Sequence, residues 1–188
     1  MMEQRLTTTT GLTVTRGIRH TGPTLTGYAA LFGTFSQDLG GFVEKICKGA
    51  FAESITTRDV RAFFNHETNL ILARTKGGTL TLWEDHIGLG FTIRPPDTTH
   101  GRDVLELVKS GYVTGMSFGF SLPAKGDSWE YKGGVNIRIL HKVTLHEVSV
   151  CPIPAYADTT VSVREALGPA AVAELNRRRL RIHQLVGE

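Results

Sequence analysis

The chain has 188 residues, of which 40% are hydrophobic and 21% charged, and its formal net charge is +3. These values are typical of one globular domain, and no apolar run reaches the roughly 20 residues that a membrane-spanning helix needs. The first 19 residues lack the basic start and apolar stretch of a secretory signal. Cys47 and Cys151 are the two cysteines, which give neither a disulfide framework nor a paired zinc motif. The sequence therefore predicts a soluble cytoplasmic protein with reduced thiols and no cofactor.

Short alternating apolar patterns dominate the chain and predict a mainly β protein. The predicted strands share this pattern and are bounded by turn residues: Leu12–Ile18, Leu25–Leu31, Phe42–Ile46, Val60–Phe64, Thr79–Trp83, Gly88–Ile93, Met116–Leu122 and one or two strands within Val135–Cys151. The first of them lies in an N-terminal extension, residues 1–24. Residues 84–86 are expected to form a hairpin turn, and Gly126–Gly134 is expected to be a mobile loop. Many short strands with glycine-rich turns favour a barrel or a sandwich.

Helices are predicted at only four places. Gly49–Arg58 places apolar side chains four residues apart, and Arg102–Ser110 is an apolar segment that ends before Gly111. Ser162–Glu165 matches a capping box, which predicts a further helix start, and Pro169 fits the first turn of a last helix. We therefore predict few helices, placed between strands or near the C-terminus.

A basic C-terminal segment, residues 165–188, follows the predicted β domain. Its charge is concentrated in four arginines, Arg177, Arg178, Arg179 and Arg181. Such a cluster indicates either a solvated helix face or a docking segment for an acidic partner surface. Specific nucleic-acid binding is not predicted, since the chain has no aromatic-interleaved basic patch, zinc finger or helix-turn-helix signature.

The strand around Ser117 carries the strongest chemical signal. Met116, Phe118 and Phe120 alternate with Ser117 and Gly119, so Ser117 is predicted to point away from the core. Gly115 and Gly119 would leave room for another backbone to approach. A hydroxyl held by a rigid strand suits a nucleophile, although an ordinary solvent-facing serine fits the same pattern.

A serine nucleophile needs a neighbouring base, and imidazole has the appropriate unperturbed pKa. The chain has seven histidines, and residue patterns alone do not choose among them. His66 follows the predicted strand Val60–Phe64, where a side chain could be presented rigidly at a cleft. A loop histidine without catalytic role fits this position as well.

Several short sequence motifs, in a fixed order, resemble those of the prohead maturation proteases of tailed bacteriophages. Those proteases are similar in fold and chemistry to the herpesvirus assemblins. The motifs are Gly27–Ala29, Lys48–Phe51, Phe63–His66, Gly88–Phe91, Gly115–Phe120, Leu145–Val150 and Pro154–Thr159. The resemblance runs from about Gly27 to about Arg164 and implies a protease domain at residues 25–164. It also implies a closed or nearly closed β-barrel flanked by a few helices, like a herpesvirus protease.

The resemblance assigns roles to three residues. It implies Ser117 as nucleophile, His66 as base, because Asn65-His66 matches the position of the family's histidine, and Glu147 as the acid within Leu-x-Glu-Val-Ser. His146 is an alternative third member, since the herpesvirus relatives use a second histidine there. On a regular strand His146 and Glu147 face opposite ways, and we expect Glu147 to face the site because Val148 and Val150 would share the face of His146.

An oxyanion hole must also exist. Arg74 stands where the family commonly has Leu-Gly-Arg, with an alanine in place of the glycine, and could either help there or be an exposed structural arginine.

The implied function is that of a serine endopeptidase acting in the host cytoplasm inside an assembling procapsid. Its expected partners are scaffold protein, the scaffold-like segment of the capsid protein and other copies of itself, with a possible homodimer and no membrane. Two alternatives remain open. One is a noncatalytic β-barrel module that binds capsid or scaffold. The other is a metal-dependent hydrolase using His66, His86, His100 or His146, although no H-E-x-x-H spacing is present.

Overall fold

The computed structural model describes residues 22–154, 156 and 159–164, and this part of the chain is mainly β. It contains eleven strands and two helices, which we number in chain order. They are β1 (Thr24–Leu31), β2 (Phe42–Ile46), α1 (Ala52–Thr57), β3 (Arg61–Phe64), β4 (Glu67–Arg74), β5 (Leu80–Glu84), β6 (Gly88–Ile93), α2 (Thr99–Lys109), β7 (Gly115–Ser121), β8 (Asp127–Lys132), β9 (Val135–Leu140), β10 (Thr144–Cys151) and β11 (Thr160–Arg164).

The strands of the described residues pair into three sheets. Their orders are β11-β1-β6-β5, β4-β3-β10-β7 and β2-β9-β8. Most neighbours are antiparallel, whereas β3–β10 and β2–β9 are parallel. The prediction of a mainly β fold with few helices is confirmed, but the ladders in this part of the chain do not close into one barrel.

One apolar cluster of the described residues joins the first two sheets to both helices, and Ile46 and Leu140 of the third sheet also belong to it. Its fully buried members include Leu25 and Phe91 from the first sheet, Met116 and Val148 from the second, and Phe51 just before α1. The alternation expected of a strand is clear in β6, which contributes Leu89, Phe91 and Ile93 to this core. The other face of the second sheet is therefore left for polar side chains, and the candidate site lies on it.

Most predicted elements match the structure closely. The ranges of β2 and of the second arm of the hairpin, β6, were predicted to the residue, and the segment 135–151 contains two strands, β9 and β10. Both internal helices are present, and α2 has the hydroxyl of Thr98 as an N-cap that accepts from the Gly101 N–H at 3.2 Å. None of the described helices is long and apolar enough to cross a membrane.

The predicted mobile loop at Gly126–Gly134 is wrong. Asp127–Lys132 forms β8, which pairs with β9 along its whole length. Gly133 and Gly134 connect the two strands with φ values of 60° and 83°. A two-residue hairpin of this kind needs positive φ at both positions, so the glycines indicate a tight turn instead of a loop.

The capping box predicted at Ser162–Glu165 is also wrong over its described part. Residues 160–164 form β11, which pairs with β1. The alternation of Val161 and Val163 with polar residues is a strand pattern, and β-branched side chains suit a strand. The predicted strand at Leu12–Ile18 and the helix from Pro169 lie outside the described residues.

The strand β4 was not predicted. Its first three residues, Glu67–Asn69, are exposed and polar, so the segment shows no alternation at its start. It forms because it pairs with β3 across a two-residue turn, and the alternation of residues within the segment does not indicate this pairing.

Candidate active site

The nucleophile candidate, Ser117, lies near the start of β7. Met116 and Phe118 on either side of it face the core, so Ser117 is on the opposite face, as predicted. It is nevertheless 92% covered, with 8% of its surface exposed, so it is not an ordinary solvent-facing serine. Among the described residues, no side chain forms a hydrogen bond with Ser117 Oγ, and this includes His66.

His66 occupies the second position of a tight turn between β3 and β4. Phe64 pairs with Glu67, which leaves Asn65 and His66 as a two-residue hairpin loop. Both have left-handed backbones, with φ values of 52° and 60°. The first position suits asparagine, which tolerates this region better than most residues. The turn is anchored to β10, since the Asn65 N–H donates to the Val150 carbonyl at 2.9 Å.

The imidazole of His66 is bound to Glu147. Its Nδ1 and Glu147 Oε1 are 2.7 Å apart, with the histidine side chain 46% exposed and the carboxylate 13% exposed. Because Nδ1 is bound to the carboxylate, the other ring nitrogen, Nε2, is available to contact a reacting group. A carboxylate in this position fixes the imidazole tautomer and stabilises the imidazolium.

Glu147 and Ser117 share one face of neighbouring strands. Glu147 is opposite Gly119, and Ser149 is opposite Ser117. Glu147 and Ser117 are therefore diagonal neighbours, and the Cβ atoms of such neighbours are roughly 7 Å apart or a little less. The structure thus brings all three predicted residues to the same face of the sheet β4-β3-β10-β7.

In the structure Glu147 contacts His66 and His146 does not, but the strand alternation from which we expected Glu147 to face the site does not hold. The pairing of β10 with β7 shifts register between Leu145 and Glu147, which marks a β-bulge at His146. A bulge breaks the alternation of side chains. His146 binds Ser121 Oγ at 2.9 Å and so lies over the same face as Glu147, while Val148 faces the core.

Two glycines of β7 make room for side chains and not, as predicted, for another backbone. A Cβ at Gly115 would lie 2.6 Å from the ring of Pro154. A Cβ at Gly119 would overlap Glu147 Oε1, so the absent side chain is what lets the carboxylate lie over β7, where Oε1 contacts His66. Both positions need glycine because a side chain from a neighbouring segment lies close to the backbone of β7.

This contact predicts the effect of Gly119→Ala. The new methyl group should displace the Glu147 carboxylate, which is the end of a flexible side chain, and leave the strand intact. We expect cleavage to fall by about 10²-fold, the cost of a small displacement of a catalytic group, with little change in thermal unfolding temperature. Gly77→Ala is the control, since a Cβ there would have its nearest neighbour at 3.4 Å. Equal activity of the two variants would contradict the role of the Gly119 gap.

Two further residues of the site were not singled out from the sequence. Ser149 Oγ lies 2.6 Å from Glu147 Oε2 and 3.3 Å from the His66 backbone N. Thr159 binds the edge of β7 next to the nucleophile, since its Oγ1 accepts from the Met116 N–H at 3.0 Å and lies 2.8 Å from the Met116 carbonyl. The position of Ser149, two residues after Glu147 on a strand, was the available signal.

Arg74 is engaged by an acidic partner. Its Nε lies 2.6 Å from Asp59 Oδ2, and a second guanidinium nitrogen also contacts this carboxylate. The hydrogen bond from Arg74 lowers the pKa of Asp59 to about 2. This pairing favours the structural alternative for Arg74 over a role at a developing oxyanion.

Burial raises the pKa of the Cys151 thiol to about 11, and the nearby charge of Glu147 adds to this effect. Cys151 follows Val150 at the end of β10 and is 2% exposed. A thiol in such surroundings stays protonated and inert at neutral pH. Within the described ranges, no three His, Cys, Asp or Glu side chains are grouped so that they could hold a metal ion.

A serine hydroxyl, an imidazole and a carboxylate on one sheet face are the groups with which serine hydrolases carry out acyl transfer. The chain belongs to the Caudovirus prohead serine protease family, whose model matches residues 13–170. The expected resemblance is therefore confirmed.

Among solved structures, the chain is similar to the KSHV protease in the crystal structure of its complex with a hexapeptide phosphonate inhibitor. The identity is 10% and the TM-score 0.48, over 83% of this chain and 75% of that chain. A comparison with curated proteins finds no significant match.

Proposed function

We propose that the protein is a serine endopeptidase in which Ser117 attacks the peptide carbonyl, His66 transfers protons and Glu147 holds His66. The observation that carries this proposal is the 2.7 Å contact between His66 Nδ1 and Glu147 Oε1 over the face that bears Ser117. The diagonal spacing of Ser117 and Glu147 leaves a gap of a size that one imidazole can bridge.

The reaction would proceed by acyl transfer in two stages. His66 Nε2 takes the proton of Ser117 Oγ as the oxygen attacks, and the scissile carbonyl becomes a tetrahedral oxyanion. The proton then passes to the leaving amine, and the acyl group stays on Ser117. Water, deprotonated by the same imidazole, releases the acid and restores the serine. The missing hydrogen bond between Ser117 and His66 is compatible with this scheme, because such bonds often tighten only when substrate is bound.

The proposed substrates follow from family membership. They are the scaffold protein or the scaffold-like segment of the capsid protein, and the protease itself, cleaved inside the assembling procapsid in the host cell. A homodimer is compatible with this setting. The basic C-terminal segment, with its four arginines, would suit docking on an acidic scaffold or shell surface, and it lies outside the described residues.

A noncatalytic module that binds capsid or scaffold is the alternative, and serine-directed labelling separates the two. The proposal predicts that a fluorophosphonate probe adds one covalent group, at Ser117, as seen by mass spectrometry of peptides. The same probe should not label unfolded protein. Folded protein that resists the probe, and also leaves coexpressed capsid and scaffold proteins uncleaved, would favour the binding module.

The third member of the triad can be tested by two conservative exchanges. Glu147→Gln should lower kcat by up to about 10⁴-fold, because a neutral amide no longer fixes the tautomer or stabilises the imidazolium. His146→Gln should leave the rate within a factor of a few, since His146 contacts Ser121 and not His66. The measurement is cleavage of the coexpressed substrate, with circular dichroism as the folding control. A severe His146→Gln and a mild Glu147→Gln would reverse the assignment.

A further inference from the structure

Ser149 is a polar residue buried in the centre of the candidate site. It is 0% exposed and lies on β10, opposite Ser117 on β7 and beside Phe63 on β3. Its Oγ has two partners that belong to the proposed triad residues: Glu147 Oε2 at 2.6 Å and the backbone N of His66 at 3.3 Å.

The direction of both hydrogen bonds follows from the chemistry of the partners. A backbone N–H can only donate, so Ser149 Oγ must accept from His66. The single hydroxyl proton is then free for Glu147 Oε2, which accepts it as a carboxylate oxygen. With Oε2 occupied in this way, Oε1 is the oxygen that faces His66 Nδ1.

The same hydroxyl supports the backbone that carries the histidine. His66 has a φ value of 60°, and Asn65 before it has 52°. Residues other than glycine hold such backbones only where the surroundings fix them, as is common near functional sites. The bond from the His66 N–H to Ser149 Oγ, beside the bond from Asn65 to Val150, ties this turn to β10.

We propose that Ser149 is a positioning residue that sets both the orientation of the Glu147 carboxylate and the tautomer of His66. This inference rests on the proposed function, because it assigns a supporting role within the same triad. The hydroxyl proton holds Glu147 as a hydrogen-bond acceptor toward His66. His66 therefore carries its proton on Nδ1, and Nε2 presents a lone pair to the serine. Ser149 itself does not touch the substrate.

The test compares Ser149→Ala with a matched buried serine. Ser54 is 3% exposed, and its Oγ likewise donates to one group, the Val143 carbonyl at 2.8 Å, and accepts from another, the Leu145 N–H at 3.0 Å. It lies in α1 and takes no part in the site. Ser54→Ala should therefore reproduce the loss of a buried hydroxyl without the loss of positioning.

We expect Ser149→Ala to reduce kcat by roughly 10- to 100-fold, as removal of an outer hydrogen-bond partner commonly does, with KM nearly unchanged. Ser54→Ala should keep kcat within a factor of a few when both are assayed well below their unfolding temperatures. Ser149→Thr, which keeps the hydroxyl, should recover most of the lost rate. Full activity of Ser149→Ala would overturn the proposal.

A second measurement does not depend on turnover. Ring ¹⁵N shifts of His66 are recorded in protein carrying Ser117→Ala, with and without Ser149→Ala. The expected result is one dominant Nδ1–H tautomer in the first and a mixture in the second, whereas adding Ser54→Ala changes nothing. An unaltered tautomer after Ser149→Ala would refute the inference even if Ser149→Thr failed to fold. If Ser117→Ala alone left cleavage intact, the proposed function would fail instead, which keeps the two failures distinguishable.

Discussion

Ser117→Ala is expected to abolish cleavage while the protein remains folded. Loss of a serine nucleophile costs about 10⁶ in kcat where serine, histidine and acid act together. The fold should survive because the hydroxyl lies on the face opposite Met116 and Phe118 and has no hydrogen-bond partner among the described residues. Truncation to alanine therefore leaves neither a large cavity nor a lost internal bond.

The measurement is coexpression with the matching capsid and scaffold proteins, followed by mass spectrometry of every chain. Ser121→Ala is the matched control, because Ser121 lies on the same strand and the same face but is exposed. It should process substrate normally. Normal processing by Ser117→Ala would remove this serine from the mechanism.

His66→Ala is expected to be nearly as severe as Ser117→Ala. Without the imidazole the serine keeps its proton at neutral pH, and it is then a weak nucleophile. The informative comparison is the double variant. Residues that act as a unit are strongly non-additive, so Ser117→Ala with His66→Ala should be hardly slower than either single variant.

His86→Ala provides the control for this second experiment, since His86 follows β5 in the β5–β6 turn, outside the site. Single-turnover rates and unfolding temperatures are measured for the unmutated protein, the two single variants, the double variant and His86→Ala. A double variant whose loss equals the product of the two single losses would mean that Ser117 and His66 act independently, and the shared mechanism would have to be abandoned.

The alternation of apolar and polar residues predicts those features of the site that depend on residues adjacent in the sequence. The outward direction of Ser117 follows from the alternation of Met116 and Phe118, and that alternation is complete within β7. The place of His66 at a strand end follows in the same way from the apolar run before it. The roles of these residues came from the family resemblance, because seven histidines offer no local reason to prefer one.

Features that depend on strand pairing could not be predicted in this way. The bulge at His146 arises from the register between β10 and β7. The prediction that His146 and Glu147 lie on opposite faces, which assumed a regular strand, was therefore wrong. The role of Gly119 depends on a side chain from the neighbouring strand. One of the two partners of Ser149 likewise lies in a turn 83 residues away in the chain.

The pairing of β11 with β1 bears on when the enzyme can first act during synthesis. Thr159 and β11 come after every proposed catalytic residue, yet Thr159 ties the backbone of β7 beside Ser117, and β11 completes the first sheet. Pairing between segments as distant in the chain as β1 and β11 forms late, because the loop-closure entropy must be overcome first. A nascent chain that ends before residue 159 already contains Ser117, His66 and Glu147 but lacks the group that fixes the nucleophile strand. We therefore expect proteolytic activity only in chains that include residues 159–164.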